Sequence, residues 1–319
     1  SLGSVSIPIS DTLSVLAGES LENPAYENII EKIRLPKAIT AAAAGSSLAV
    51  AGLLMQTLFR NPLADPFVLG INSGASLGVA LVVLAGGSGY FWAETLAISR
   101  HLSLVVAAAA GAAIMLSIVL HLSRRVEIMT LLIVGLMIGY ATNAMVSILM
   151  YLSIPEQLQA YISWTFGDFS GVEWKEMPLF LGTCGLGIFI AFLCSKPLNA
   201  FQLGETYAKS LGVNTTYLRR GLLCSGALLA GAVTAFCGPI GFIGIAVPHL
   251  CRAWLQTSDH RLLMPACLFA GAAVALGAEV VSQLPGTQVT FPLNAVTALM
   301  GAPVILWVLL RQKKWALAS

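Results

Sequence analysis

Charge is what this sequence has least of. Only 10% of its 319 residues are Asp, Glu, Lys or Arg, against 57% hydrophobic residues and a mean hydropathy of +0.84. A soluble domain carries about 25% charged residues. A chain this poor in charge cannot cover a globular surface with polar groups, which excludes a water-facing protein of two domains. Catalytic motifs are equally scarce. There is no phosphate-cradling Walker A loop, no GxSxG and no HExxH. The four histidines, His101, His121, His249 and His260, are isolated from one another, and His249 has only Cys251 near it in sequence. A metal site needs three or four ligands, so none is expected. The six cysteines form no CxxC pair and read as small apolar packing residues. No cofactor and no nucleic-acid partner are expected. Any ATP hydrolysis that drives this chain must be carried by another subunit, so the chain itself is not expected to be an enzyme.

What remains is long apolar runs. A membrane helix needs about 20 mostly apolar residues. Such stretches lie near 38–59, 67–86, 102–122, 128–152, 177–195, 219–236, 240–256, 262–284 and 291–310. The runs are continuous rather than alternating, which excludes barrel strands. The expected fold is therefore all-α, a polytopic membrane bundle with about nine spans, with residues 1–319 forming one transmembrane unit in contact with lipid. The seventh stretch is short and holds Pro248, as a tilted or partly re-entrant segment would.

Residues 1–37 differ. Asp11, Glu19, Glu22, Glu27, Glu31, Lys32, Arg34 and Lys37 make this an amphipathic extramembrane segment, expected to end in a short helix before Pro36. It has no signal-peptide pattern. Ser1 to Val5 read as the tail of a further apolar helix.

Basic residues set the orientation. Lys32, Arg34, Lys37, Arg100 and Lys175 fall on one side of the nine-span arrangement, and the remaining 12 of 17 Lys and Arg fall on the other. Cytoplasmic loops carry the excess. The C-terminus is thus expected inside, residues 1–37 outside, and a tenth span is expected to precede Ser1.

Small residues recur about one helical turn apart in Gly45-Ser46-Ser47 with Gly52, and in Gly226, Ala227, Ala230 and Gly231. Such faces let helix backbones approach closely in lipid, as plain packing or as a tight pathway lining. Within the spans Glu279 is the ionisable exception, toward the outer end of its helix. An acid there reads either as a structural hydrogen-bonding group or as a pathway or gating residue.

The most informative polar stretch is residues 196–217. Gly204 can end one turn; Glu205, Ala208 and Leu211 follow at helical i, i+3 spacing, and Gly212 fits a stop. This predicts a short cytoplasmic helix with Glu205, Ala208 and Leu211 on one face, small Ala208 letting a partner surface come close.

Several motifs carry a resemblance. Arg34-Leu35-Pro36-Lys37, Gln56 through Arg60-Asn61-Pro62-Leu63-Ala64-Asp65-Pro66, Leu69-Gly70, Ser73-Gly74-Ala75, Leu203-Gly204-Glu205 to Leu211-Gly212-Val213, Gly238-Pro239-Ile240-Gly241-Phe242-Ile243-Gly244, Pro248-His249-Leu250-Cys251-Arg252 and Gly301-Ala302-Pro303 occur in order from about residue 3 to 311. Together they resemble the permeases of bacterial ABC importers for iron-siderophores, haem and cobalamin. The resemblance implies ten helices per subunit, a homodimer around a central pathway in the bacterial inner membrane, two cytoplasmic ATP-binding subunits, and a periplasmic or lipid-anchored substrate-binding protein. It implies that Gly204, Glu205, Ala208, Leu211 and Gly212 lie in the loop that couples to the ATPase. It further implies that Arg34 and Lys37 dock the binding protein, with Lys37 standing where Arg is usual. A further basic docking position is not evident in Gln283 to Gln288. The competing class is an ion-coupled secondary transporter. That class needs ionisable residues at the midplane, which the sequence does not supply.

Overall fold

A computed structural model describes residues 7–19, 21, 23–85, 100–283 and 290–316. The expected apolar tail at 1–5, residue 86, and most of the Gln283–Gln288 stretch lie outside the described residues. Among those described, every regular element is helical. We number the helices α1 (Ile9–Leu16), α2 (Pro24–Ile29), α3 (Leu35–Leu58), α4 (Ile71–Val83), α5 (Arg100–Leu122), α6 (Ile128–Tyr151), α7 (Pro155–Thr165), α8 (Met177–Leu193), α9 (Ser195–Gln202), α10 (Glu205–Ser210), α11 (Thr215–Cys237), α12 (Ile243–Leu255), α13 (His260–Ser282) and α14 (Leu293–Ala316).

Each of the nine apolar stretches holds a helix. Five helices are long and apolar enough to cross a membrane by themselves: α3 with its N-terminal extension, α5, α6, α11 and α13. Helices α8 and α9 together form a sixth candidate, bent by 53°. Helices α4, α12 and the apolar part of α14 are shorter. The stretch at 67–86 was expected to be helical throughout, but α4 begins only at Ile71. Asp65 accepts the Phe67 N–H at 2.9 Å and closes a tight turn over Pro66–Leu69, and left-handed Gly70 then redirects the chain.

The N-terminal segment also departs from expectation. Pro36 does not end a helix, because α2 runs into α3 as one rod from Pro24 to Leu58. Proline supplies no N–H to the preceding turn. Here the turn before it is wide, with the Leu35 N–H reaching back five residues to the Ile30 carbonyl. The rod continues through the proline at the second position of α3.

Helix α3 is the centre of the bundle, buried from Thr40 to Leu58 with few exceptions. Its small-residue face explains the packing. A Cβ added at Gly45 would lie 2.2 Å from the Gly271 carbonyl oxygen, and one at Gly52 would lie 1.8 Å from that of Gly244. Backbone therefore touches backbone between α3 and α13 and between α3 and α12. Ser46 adds a hydrogen bond to the Leu268 carbonyl at 2.8 Å. Gly226 on α11 faces Met55 of α3, and Gly231 faces Ala112 of α5. Helix packing accounts for these small residues. Helices α5, α6 and α8 expose Ile114, Met137, Ile148, Leu186 and Phe189, as a lipid-facing rim requires.

Candidate functional site

The chemistry gathers at the two ends of the α3–α13 pair. At the end where α3 begins, Lys37 Nζ lies 2.6 Å from Glu279 Oε1 and 3.6 Å from Asp168 Oδ1. The Lys37 and Glu279 side chains are only 17% and 11% exposed. Gln283, one turn after Glu279, donates to the same carboxylate oxygen at 2.6 Å. Asp168 is itself positioned. Its carboxylate accepts the Ser170 N–H at 2.9 Å, and its own N–H bonds the Cys237 carbonyl at 2.9 Å. These groups line a cavity of about 600 Å³ together with Ser163, Ser282, Thr290 and Phe291. The structure thus joins two residues the sequence had assigned separately, Lys37 to docking and Glu279 to the pathway. Glu279, toward the outer end of its helix as the sequence indicates, is buried and paired there. Asp168 was not singled out; nothing in the local sequence marks it as a partner of Lys37. Arg34 stands one turn before Lys37 and is half-buried.

At the opposite end, residues 195–212 form a hairpin of two short helices rather than a loop carrying one. Leu198 and Phe201 of α9 are fully buried, and this hydrophobic anchor seats the hairpin on the bundle. Gly204 (φ +139°) and Gly212 (φ +80°) bracket α10, as the sequence predicted. The predicted face is wrong. Ala208 is completely buried against the chain itself, while Leu211 is 58% exposed and lies just past the end of α10. Glu205 turns inward, accepting from Thr215 at 3.2 Å and pairing with Lys209 at 3.0 Å and Arg219 at 3.8 Å. The i, i+3 reading failed because α10 is only six residues long and docks through its alanine. The large apolar side chains left outward are Leu203, Tyr207 and Leu211, 72%, 48% and 58% exposed and four residues apart. Lys209 first, then Thr215 and Arg219, hold the Glu205 carboxyl below its ordinary range.

Near the same end, the turn that follows α3 is packed against α12. His249 Nε2 lies 2.8 Å from the Pro62 carbonyl, which fixes the turn after α3 against α12. Arg252 donates to Gln56 Oε1 at 2.6 Å, and the Gln56 amide donates to the Ile245 carbonyl at 3.3 Å. His249 and Cys251 are therefore parts of a packed helix junction, and no group of three or more metal-ligating side chains occurs among the described residues.

The chain as a whole is similar to known proteins. The profile of the FecCD transport family matches residues 1–311. The chain belongs to the FecCD transport family. Among its relatives, the vitamin B12 import system permease protein BtuC of Klebsiella pneumoniae is 35% identical over 309 residues, covering 94% of this chain and 90% of the relative. The BtuC protein of Escherichia coli O9:H4 is 35% identical over 310 residues, 95% of this chain and 91% of that one. A solved metal-chelate type ABC transporter in an inward-facing conformation superposes with a TM-score of 0.81 at 28% identity, over 92% of this chain and 90% of the other. PsaBC from Streptococcus pneumoniae, at 15% identity and a TM-score of 0.53, shares the fold alone. This FecCD chain is an all-helical, multi-pass inner-membrane protein and a permease subunit of the ABC-importer type.

Proposed function

We propose that the chain carries a cobalamin-type chelate into the cytoplasm as one half of a permease homodimer, driven by two cytoplasmic ATP-binding subunits and fed by an external binding protein. The observation that carries this reading is the hairpin α9–α10. It presents Tyr207 outward on α10, with Leu203 and Leu211 outward just before and after that helix, at the end of the bundle that the basic-residue bias assigns to the cytoplasm. Exposed apolar residues in an aqueous loop call for a partner surface, and a seated helix can transmit force where a loose loop cannot. Substrate class is supported by relatives named for vitamin B12 import that match over nine-tenths of the chain.

Three further roles follow. Arg34 contributes to binding-protein docking at the outer end. Lys37 acts through its ion pair, because its ammonium is already held by two carboxylates. Glu279, in the wall of the outer cavity, sets how that cavity opens. The pair ties helix ends together and does not lie at mid-helix, so it gives no support to an ion-coupled secondary transporter.

The deciding experiment is uptake of radiolabelled cyanocobalamin in cells lacking their own importer but supplied with this chain and its cognate ATPase and binding protein, with haem and a ferric siderophore in parallel. Preferential accumulation of cobalamin, abolished by an ATPase-dead partner, is the expected result. Uptake of haem or ferric siderophore instead would move the substrate assignment, and uptake indifferent to the ATPase would remove the ABC mechanism.

A further inference from the structure

The hydrogen bonds linking α9, α13 and α3 form one continuous chain. Asn199, in the middle of α9, accepts the His260 backbone N–H at 2.9 Å and faces His260 Nδ1 at 2.7 Å, while its amide nitrogen donates to Asp259. The partners fix the amide: a backbone N–H demands the oxygen, and a carboxylate demands the nitrogen. An oxygen opposite Nδ1 then requires the imidazole proton on Nδ1 and leaves Nε2 as an acceptor. Nε2 lies 2.8 Å from Thr57 Oγ1, so the Thr57 hydroxyl donates to it; the same hydroxyl lies 2.9 Å from the Leu53 carbonyl, its other choice. His260 is completely buried, so its link to Thr57 lies inside the bundle, while Asn199 and Asp259 at the other end of the chain are partly exposed. A second contact joins α9 to the end of α3. Arg60 donates to the Phe201 carbonyl at 3.2 Å, and its guanidinium lies 5.5 Å above the Phe201 ring.

We infer that Asn199 is a positioning residue for transport, the joint through which displacement of the α9–α10 hairpin becomes displacement of the α3–α13 pair. This rests on the reading that the ATPase docks on α10. Directional bonds in a buried setting resist bending. Beyond the joint, α3 and α13 are packed backbone against backbone at Gly45 and Gly271, so displacement of one helix bears directly on the other. A pull on His260 therefore arrives at Lys37 and Glu279, where the outer cavity lies. Packed chains of this kind carry coupling between distant sites.

The test uses the full permease with its ATPase subunit in vesicles, carrying bimane on a Ser163→Cys variant in the outer cavity, with the unsubstituted chain as labelling blank. ATP should change bimane fluorescence in this parent. With Asn199→Ala added, the ATPase should still co-purify and hydrolyse ATP, while the ATP-driven fluorescence change falls at least ten-fold. Asn199→Asp, which sets two carboxylates face to face, should lose the response equally. Adding Asp259→Asn should restore it, since the amide then donates from the other side and still caps the Arg261 N–H. An intact response in Asn199→Ala, or a failure of the paired exchange to restore it, overturns the inference. If Asn199→Ala does not fold, the paired exchange decides alone. A parent chain that retains no ATPase would remove the docking reading and this inference together. A parent that retains ATPase and responds, beside an Asn199→Ala variant that responds equally, removes the inference only.

Discussion

Lys37 and Glu279 are 242 residues apart in sequence and 2.6 Å apart in space. They stand at the same end of two helices whose backbones touch at Gly45 and Gly271. The ion pair closes that helix pair at one end as the His260–Thr57 contact does at the other.

Breaking the ion pair should cost more than removing it. A buried pair that loses one partner leaves an uncompensated charge, at about 3–5 kcal/mol when burial is complete. Asp168 and residual exposure lower that here. Lys37→Met and Glu279→Leu should each reduce the melting temperature of the detergent-solubilised protein, and the double variant should recover part of the loss. Strictly additive losses would show that the two side chains do not interact.

Glycine substitutions should separate contact from propensity. Gly45→Ala places a methyl 2.2 Å from the Gly271 oxygen and 2.5 Å from Ala275 Cβ, so α3 and α13 must part. Folded yield and transport should both collapse. Gly277→Ala meets nothing within 4 Å and should be neutral or stabilising by about 0.5–1 kcal/mol. Thermal melts of the two variants side by side make the comparison.

At the hairpin, Tyr207→Ala and Leu211→Asp should weaken ATPase co-purification at least ten-fold with the melting temperature unchanged, because both side chains point outward. Ala208→Arg should lower the melting temperature itself, since its site has no room for a longer side chain. Equal effects on melting from all three would remove the assignment of the outward face.

The pH response of the hairpin follows from Glu205. Its folded carboxyl titrates below the ordinary glutamate range because Lys209, Thr215 and Arg219 favour the anion. The anion thus stabilises the folded hairpin above the unfolded value, and that contribution is lost as pH falls through the lowered folded value. Hydrogen exchange in residues 205–213, corrected for intrinsic rates, should be unchanged from neutral to mildly acidic pH and accelerate only below it. Glu205→Gln should exchange faster at neutral pH and lose this dependence.

Class was written in composition. A chain with 57% hydrophobic residues and 10% charged ones belongs in lipid, which leaves helices or a closed barrel to satisfy the backbone, and its continuous rather than alternating apolar runs select helices. Local punctuation was equally legible: Gly204 and Gly212 bound α10 because a left-handed stop depends on the residue itself. The small faces of α3 and α11 could be read as packing surfaces, though their mates could not. Which helix meets Gly45, that Lys37 finds Glu279 and Asp168, that Ala208 turns inward and Tyr207 outward, and that Asn199 reaches His260 were decided by tertiary structure alone. Each of these pairs residues far apart in the chain, or chooses among faces of a helix too short to show a period. Sequence pattern reports how a segment relates to its solvent. A specific partner is selected only when close-packed backbones bring two particular side chains within hydrogen-bonding distance.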